Sequence, residues 1–303
     1  MSAKSKLFGK KLIAGNRLIV SKKKQIGQYV GFYFWITLGV LLILIPLYIM
    51  LICSFMTPAE TNDSTFHWWP EQGFSIEGYQ KAFDTDFGGV TLFKGFINTL
   101  ILYVPSIAVG CLVSSLAAYA FAKIDFKAKK IAFAILMFGM TLPNCMGMAA
   151  SVILFDMVDW LDTVLPIIVP RMMGSIGIVF FLRQFYMSIP DDFIEAGYID
   201  GFNHVQIFLY VMLPLSVPSM LSQFVLSFIG SYNDYLSPLL YLPNNIEFAP
   251  MALVIQNFSG AYSQIWCQKL AACAISMFPL LVLYLISQKF ILKGVAITSG
   301  LKG

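Results

Sequence analysis

Six long apolar runs, separated by shorter polar stretches, set the pattern of this chain. They fall at 29–53, 95–121, 131–155, 163–186, 216–242 and 268–288. As a helix rising about 1.5 Å per residue, each is long enough to cross a hydrocarbon layer about 30 Å thick. Pro46 interrupts the first run. Pro143-Asn144, with Gly139 and Gly147 nearby, breaks the third, and Pro166 and Pro170 interrupt the fourth. Membrane helices tolerate such positions because neighbouring helices re-satisfy the freed backbone groups. The pattern predicts an all-α integral membrane protein with six transmembrane helices.

Composition agrees. The 303 residues are 58% hydrophobic and 12% charged, about half the charge of an ordinary soluble domain. Of the five cysteines, Cys53, Cys111, Cys145 and Cys273 lie in apolar stretches. None has metal-ligand or paired spacing, so they read as small buried apolar residues.

The distribution of charge says more than its +4 sum. Residues 1–28 carry eight basic residues and no acid. Their apolar run comes too late for a cleaved signal peptide. They read as a solvated tail that sets orientation, or as a tail lying on anionic lipid. With six crossings, both termini and the stretches 122–130 and 187–215 share one side, and that side, with Arg183 at the end of the fourth run, holds 16 of the 20 basic residues. The rule that basic loops stay inside places this side in the cytoplasm. The other loops hold 10 of the 16 carboxylates and face outward. Arg171 is expected near the outer end of the fourth run, its long stem snorkelling to the interface. Trp68 and Trp69 are expected to rest at that interface.

The longest polar stretch of the second half runs from Ser188 to Leu215. It predicts a short helix, a glycine turn, a second short helix and then entry into the fifth span. Pro190 suits the first helical position. Asp191 and Asp192 suit the positive end of the helix dipole. Gly201 suits a left-handed C′ residue, and Asn203 with Gln206 forms a capping pair.

Glu195-Ala196-Gly197, three residues, Gly201, then Leu213-Pro214 resembles the EAA loop of binding-protein-dependent ABC importer permeases. Ile189-Pro190 and Leu215-Ser216-Val217-Pro218 resemble the carbohydrate-type subfamily, that of the maltose-type permease pair. Gly197 stands where a third alanine is usual, and Phe202 replaces a small residue. Arg183-Gln184-Phe185, Asn233-Asp234, Pro238-Leu239-Leu240 and the tail Gly294–Gly303 are also similar, so the resemblance covers residues 29–303.

The resemblance implies the type I ABC importer permease fold. It divides the chain into a tail at 1–28, a permease domain at 29–293 and a cytoplasmic tail at 294–303 that approaches the ATPase. It makes 190–201 a cytoplasmic coupling helix. Pro190, Asp192, Phe193, Glu195, Ala196, Gly197, Asp200, Gly201, Leu213 and Pro214 are then the ATPase-coupling residues. The implied partners are a second, homologous permease, two ATP-binding cassette ATPases that hold ATP and magnesium, an extracytoplasmic sugar-binding protein, and membrane lipid, with no nucleic acid. The implied location is the cytoplasmic membrane of a bacterium, and the implied cargo a carbohydrate, taken as an oligosaccharide.

No phosphate loop, HExxH or metal cluster occurs, so no catalysis and no cofactor are expected in this chain. The fifth run carries Ser227, Ser231, Tyr232, Asn233, Asp234 and Tyr235, of which Ser227, Ser231, Asp234 and Tyr235 share a helical face. They read equally as a sugar pathway or as polar glue between helices. Asp234, the one clear candidate for an ionisable group at depth, also leaves open a self-contained proton-coupled carrier, and a membrane scaffold without transport stays open beside it.

Overall fold

The structure, a computed structural model, describes residues 22–63, 65–258 and 266–300. Its described secondary structure is helical apart from one isolated bridge between Phe87 and Val90. The chain divides into two compact units, Met1–Ile52 and Cys53–Gly303. The first is built by α1 (Lys22–Ser54), which starts ahead of the expected span and runs unbroken through Pro46. Most of the basic tail, 1–21, lies outside the described residues.

The second unit opens with two short helices, α2 (Pro58–Asn62) and α3 (Glu77–Asp84), and the long α4 (Leu92–Lys123). The third apolar run is two helices, α5 (Lys129–Thr141) and α6 (Asn144–Met157). The break is at Leu142, held extended at φ −79°, ψ 127° because it precedes Pro143. The fourth run is α7 (Leu165–Met172) and α8 (Ile176–Ser188), bent at Gly174 with φ +96°. Then come α9 (Asp192–Ile199), α10 (His204–Ile207), a π turn (Phe208–Met212), α11 (Leu213–Tyr232), α12 (Leu236–Tyr241), α13 (Met251–Asn257) and α14 (Trp266–Gly300).

By length and apolarity, five helical stretches suffice to cross a membrane: Tyr29–Ser54, Leu92–Lys123, Leu165–Ser188, His204–Tyr232 and Trp266–Lys289. The sixth crossing is the broken pair α5–α6. Lys123, at the end of α4, donates to the Ile189 carbonyl at the end of α8, so these ends coincide. Gly110 and Ser114 of α4 meet Arg171 and Gly174 further back, so α4 and α7–α8 run parallel. The chain must therefore cross the layer between 124 and 164.

Small residues make the α4 packing close. Gly95, Thr99, Ser106, Gly110, Ser114 and Ala118 are buried along it. A Cβ on Gly110 would overlap the Arg171 carbonyl. Small side chains of this kind let backbones approach inside a membrane bundle. Around them Tyr103, Tyr119, Leu182, Tyr186, Ile207 and Met212 form the core.

Two boundaries differ from those the sequence predicts. The fifth span runs from His204 to Tyr232, not 216–242. The capping pair at Asn203 starts a helix that continues into the membrane, and the π turn accommodates Pro214. The last helix continues past 294, where the tail is expected to begin, to Gly300.

Candidate functional site

The polar stretch folds as an elbow. Pro190 lies ahead of α9 rather than in its first position, and Asp191 is the N-cap residue. Its carboxylate does not cap; it takes the Lys123 ammonium at 2.5 Å. Lys123 also donates to the Ile189 carbonyl at 2.6 Å, and its side chain is 7% exposed. Asp192 and Glu195 stand in the first turn, as the dipole favours.

Gly201, at φ +81°, ends α9. The Gly201 N–H bonds to the Tyr198 carbonyl and the Phe202 N–H to the Gly197 carbonyl, at 3.0 and 2.9 Å. This pair of bonds is a Schellman motif, which satisfies carbonyls that the helix end would otherwise orphan. Phe202 turns inward, packing against the core with its ring 5.9 Å from that of Tyr210, so the turn accepts the large residue.

Asn203 and Gln206 then bond reciprocally, side chain to backbone, at 2.9 Å each. Eight residues beyond Gln206, Pro214 has no N–H to offer and its ring would collide with the carbonyl four residues back. The chain widens there into the π turn, where the Leu213 N–H reaches the Phe208 carbonyl.

α9 lies on α10 through one face. Ile194 and Gly197 are buried, and a Cβ on Gly197 would stand 2.9 Å from Ile207 Cγ1. Glycine at the third-alanine position thus permits the contact. The Tyr198 hydroxyl sits 2.9 Å from His204 Nδ1 across the elbow. Behind it, the Tyr186 hydroxyl joins Ser115 of α4 at 2.6 Å and Ser216 of α11 at 2.9 Å. The elbow is therefore mounted on a buried node of three spans.

Its outer face is bare. Phe193, Tyr198, Val205 and Tyr210 are exposed, and Ile199 is 86% exposed. Asp192, Glu195, Ala196 and Asp200 share that exposure, and the three acids make no ion pair among the described residues. A short rigid helix showing apolar and acidic side chains together fits a basic-rimmed groove on another protein.

Toward the other end of the bundle a cavity of about 730 Å³ opens between α4, α6, α7, α8, α11 and α12. Ser227, Ser231 and Asp234 line it, as their shared helical face predicts. Tyr235 does not, because α11 ends at Tyr232 and the helical register is lost. Tyr232 points away and donates to the Ser276 carbonyl at 2.9 Å. The Asn233 amide folds back on the Ile229 carbonyl at 2.8 Å.

Arg171 does not snorkel. Its Nη2 meets Asp234 Oδ2 at 2.9 Å, Nη1 donates to the Ile167 carbonyl at 2.7 Å, and Nε donates to Ser231 Oγ at 3.3 Å. The guanidinium also lies 4.7 Å from the centre of the Tyr103 ring. Asp234 Oδ1 accepts the Ser237 N–H at 3.1 Å. Asp234 is thus paired, and sequence spacing gave no signal of a partner 63 positions away.

The loops opposite the elbow gather at one end of the second unit. Asn98 donates to the Glu247 and Ala249 carbonyls, and Asn244 bonds to Asp162 through side chain and backbone at 2.8 Å each. These amide bonds, the side-chain one foremost, hold the Asp162 carboxyl below its ordinary range. The Glu71 carboxylate beside His67, with Asp63 on the other side, raises the imidazole above its usual value despite some desolvation.

Residues 95–297 match the family model described as binding-protein-dependent transport system inner membrane component. A probable ABC transporter permease of Pyrococcus horikoshii is 32% identical over 75% of this chain and 82% of its own length. The inner membrane ABC transporter permease protein YcjP of Escherichia coli is 28% identical over 94% of this chain and 100% of its own. The sn-glycerol-3-phosphate transport system permease protein UgpE of Pectobacterium atrosepticum is 28% identical over 84% of this chain and 92% of its own. A solved bacterial ABC transporter involved in import of the acidic polysaccharide alginate superposes with a TM-score of 0.77 over 89% of this chain and 98% of that one, at 19% identity, a likeness of fold.

Proposed function

The chain belongs to the family of binding-protein-dependent transport system inner membrane components, and on that premise we propose that it is a permease subunit that carries a carbohydrate across the cytoplasmic membrane, driven by a separate ATPase through the 190–201 elbow. The observation that carries the coupling role is the elbow's two-sidedness. One face is locked to α10 and pinned to α4 by Lys123; the other shows unpaired acids and apolar side chains to a partner. A helix held this way moves as a body, so displacement at its outer face reaches α4, α8 and α11 together.

In this reading the elbow and both termini are cytoplasmic, which is the side holding 16 of the 20 basic residues. ATP and magnesium bind in the partner ATPases. A second permease completes the pathway, and an extracytoplasmic sugar-binding protein docks on the opposite loops. A hydroxyl-rich cavity with apolar walls suits a carbohydrate, as does the resemblance of the loop to the carbohydrate subfamily. The relatives named for sn-glycerol-3-phosphate and alginate fall in the wider range of sugars and polyols. The pairing of Asp234 with Arg171 removes the lone carboxylate that a proton-coupled carrier would have used.

Glu195→Lys tests the docking. The variant should insert in the membrane normally yet lose the ATPase on purification, because a cation replaces the unpaired acid on the outer face. Undiminished co-purification would overturn the assignment.

A further inference from the structure

We propose that the Arg171–Asp234 pair makes the cavity a site for uncharged, hydroxyl-rich solutes, recognising neighbouring hydroxyls of a sugar or polyol and turning away phosphorylated or carboxylated ones. The proposal rests on the permease reading and names the class of cargo that this subunit itself handles.

The charges come first. Among the described residues, Arg171 and Asp234 are the only charged ones lining the cavity. Each side chain is about a fifth exposed, at 22% and 23%, so both are reachable from the cavity and both are largely desolvated. Their charges cancel at 2.9 Å. An anion entering here has two choices. It takes the guanidinium by displacing Asp234, which strands a carboxylate in a poorly hydrated place. Or it sits beside Asp234 and meets like charge. A hydroxyl does neither.

The hydrogen-bonding capacity comes next. A guanidinium has five N–H donors. Three go to Asp234, the Ile167 carbonyl and Ser231, leaving two. Asp234 accepts one bond on each oxygen, from Arg171 and from the Ser237 N–H, and a carboxylate has about four lone-pair sites. A spare donor and a spare acceptor therefore lie side by side. Two neighbouring hydroxyls match that arrangement, one accepting from Arg171 and the next donating to Asp234.

The pair is also held in place beforehand. The Ile167 carbonyl and the Tyr103 ring fix Arg171, and the backbone of Ser237 fixes Asp234, so little ordering is left for the ligand to impose. The volume, about 730 Å³, falls inside the range of about 300–1,000 Å³ usual for small-molecule sites. The hydroxyl groups of Ser227 and Ser231 can rotate to donate or accept as the solute requires.

The test uses the complete membrane complex in nanodiscs without its binding protein, so that selectivity is read at the membrane site. Saturation-transfer NMR is recorded with two matched pairs of probes: maltotriose against maltotrionate, and glycerol against sn-glycerol 3-phosphate. The neutral member of each pair should receive the transfer and the anionic member should not. Asp234→Asn frees the guanidinium charge and should shift the preference toward the anion by on the order of tenfold. The double variant Arg171→Gln with Asp234→Asn keeps the site neutral and should not gain the anion. That result separates a charge effect from a folding defect. Wild-type preference for either anion, transfer to no probe, or an unshifted preference in folded Asp234→Asn overturns the proposal. ATP-driven uptake into vesicles by the same wild-type complex, with its binding protein restored, is read separately. Uptake with the preference absent sinks this proposal alone, while absence of ATP-driven uptake sinks the permease reading.

Discussion

Single residues decide the elbow. Gly201 sits at φ +81° with open space where a Cβ would stand, so the constraint there is conformational and not steric crowding. An L-residue in that region costs about 1–2 kcal/mol, and a β-branched side chain adds to the strain. Gly201→Val should unravel the Schellman turn and let α9 swing. ATP hydrolysis by the assembled complex should then lose its stimulation by substrate, and normal stimulation would show that the turn is not needed. Gly201, Asn203 and Gln206 were legible in the sequence because caps and left-handed turns are local, decided by residues three or four apart. Arg171 was not. A basic residue near the end of an apolar run reads as a snorkelling anchor, and nothing local points to Asp234. Tyr235 misled for a related reason, since helical spacing holds only while the helix lasts and this one ends at Tyr232.

Among the elements, the apolar runs marked where spans exist but not where they stop. The fifth helix begins at His204, before the apolar run, because its capping box lies in the polar stretch and the π turn carries the helix past Pro214. Periodicity sees neither device. Lys123 shows the same limit. It opens a basic run in sequence and reads as a charge on the cytoplasmic surface, yet its ammonium is enclosed between Ile189 and Asp191. This contact makes α4 a second support for the elbow, independent of the α8 chain connection. Lys123→Met keeps the length of the side chain and removes both bonds, leaving the Ile189 carbonyl short of a donor at a cost of about 1–3 kcal/mol. The variant should assemble with the ATPase, because the outer face of α9 is untouched, while transport per ATP hydrolysed falls. Lys123→Arg should restore part of it. Equal coupling in Lys123→Met and the unaltered protein would show that α8 and α11 carry the motion alone.

At the scale of the whole second unit, the topology inferred by counting crossings reappears as contacts. Asn98, Asp162, Asn244 and Ala249 meet at one end, and Lys123, Ile189 and Asp191 meet at the other. These bonds join residues 82 to 151 positions apart at the first end. That clustering requires an odd number of crossings between 123 and 165, which the broken pair α5–α6 supplies. Which end faces the cytoplasm depends on the basic residues, and two asparagines test it directly. In a background with the five native cysteines replaced, Asn203→Cys should resist a membrane-impermeant maleimide in intact cells and react after permeabilisation. Asn244→Cys should react in intact cells. Both positions are exposed, so silence at either reports the membrane barrier and not burial. The inverse pattern would put the elbow outside, away from any ATP. The cavity would then open to the side where the cargo is released, and a nucleotide-driven mechanism through 190–201 would fail with it.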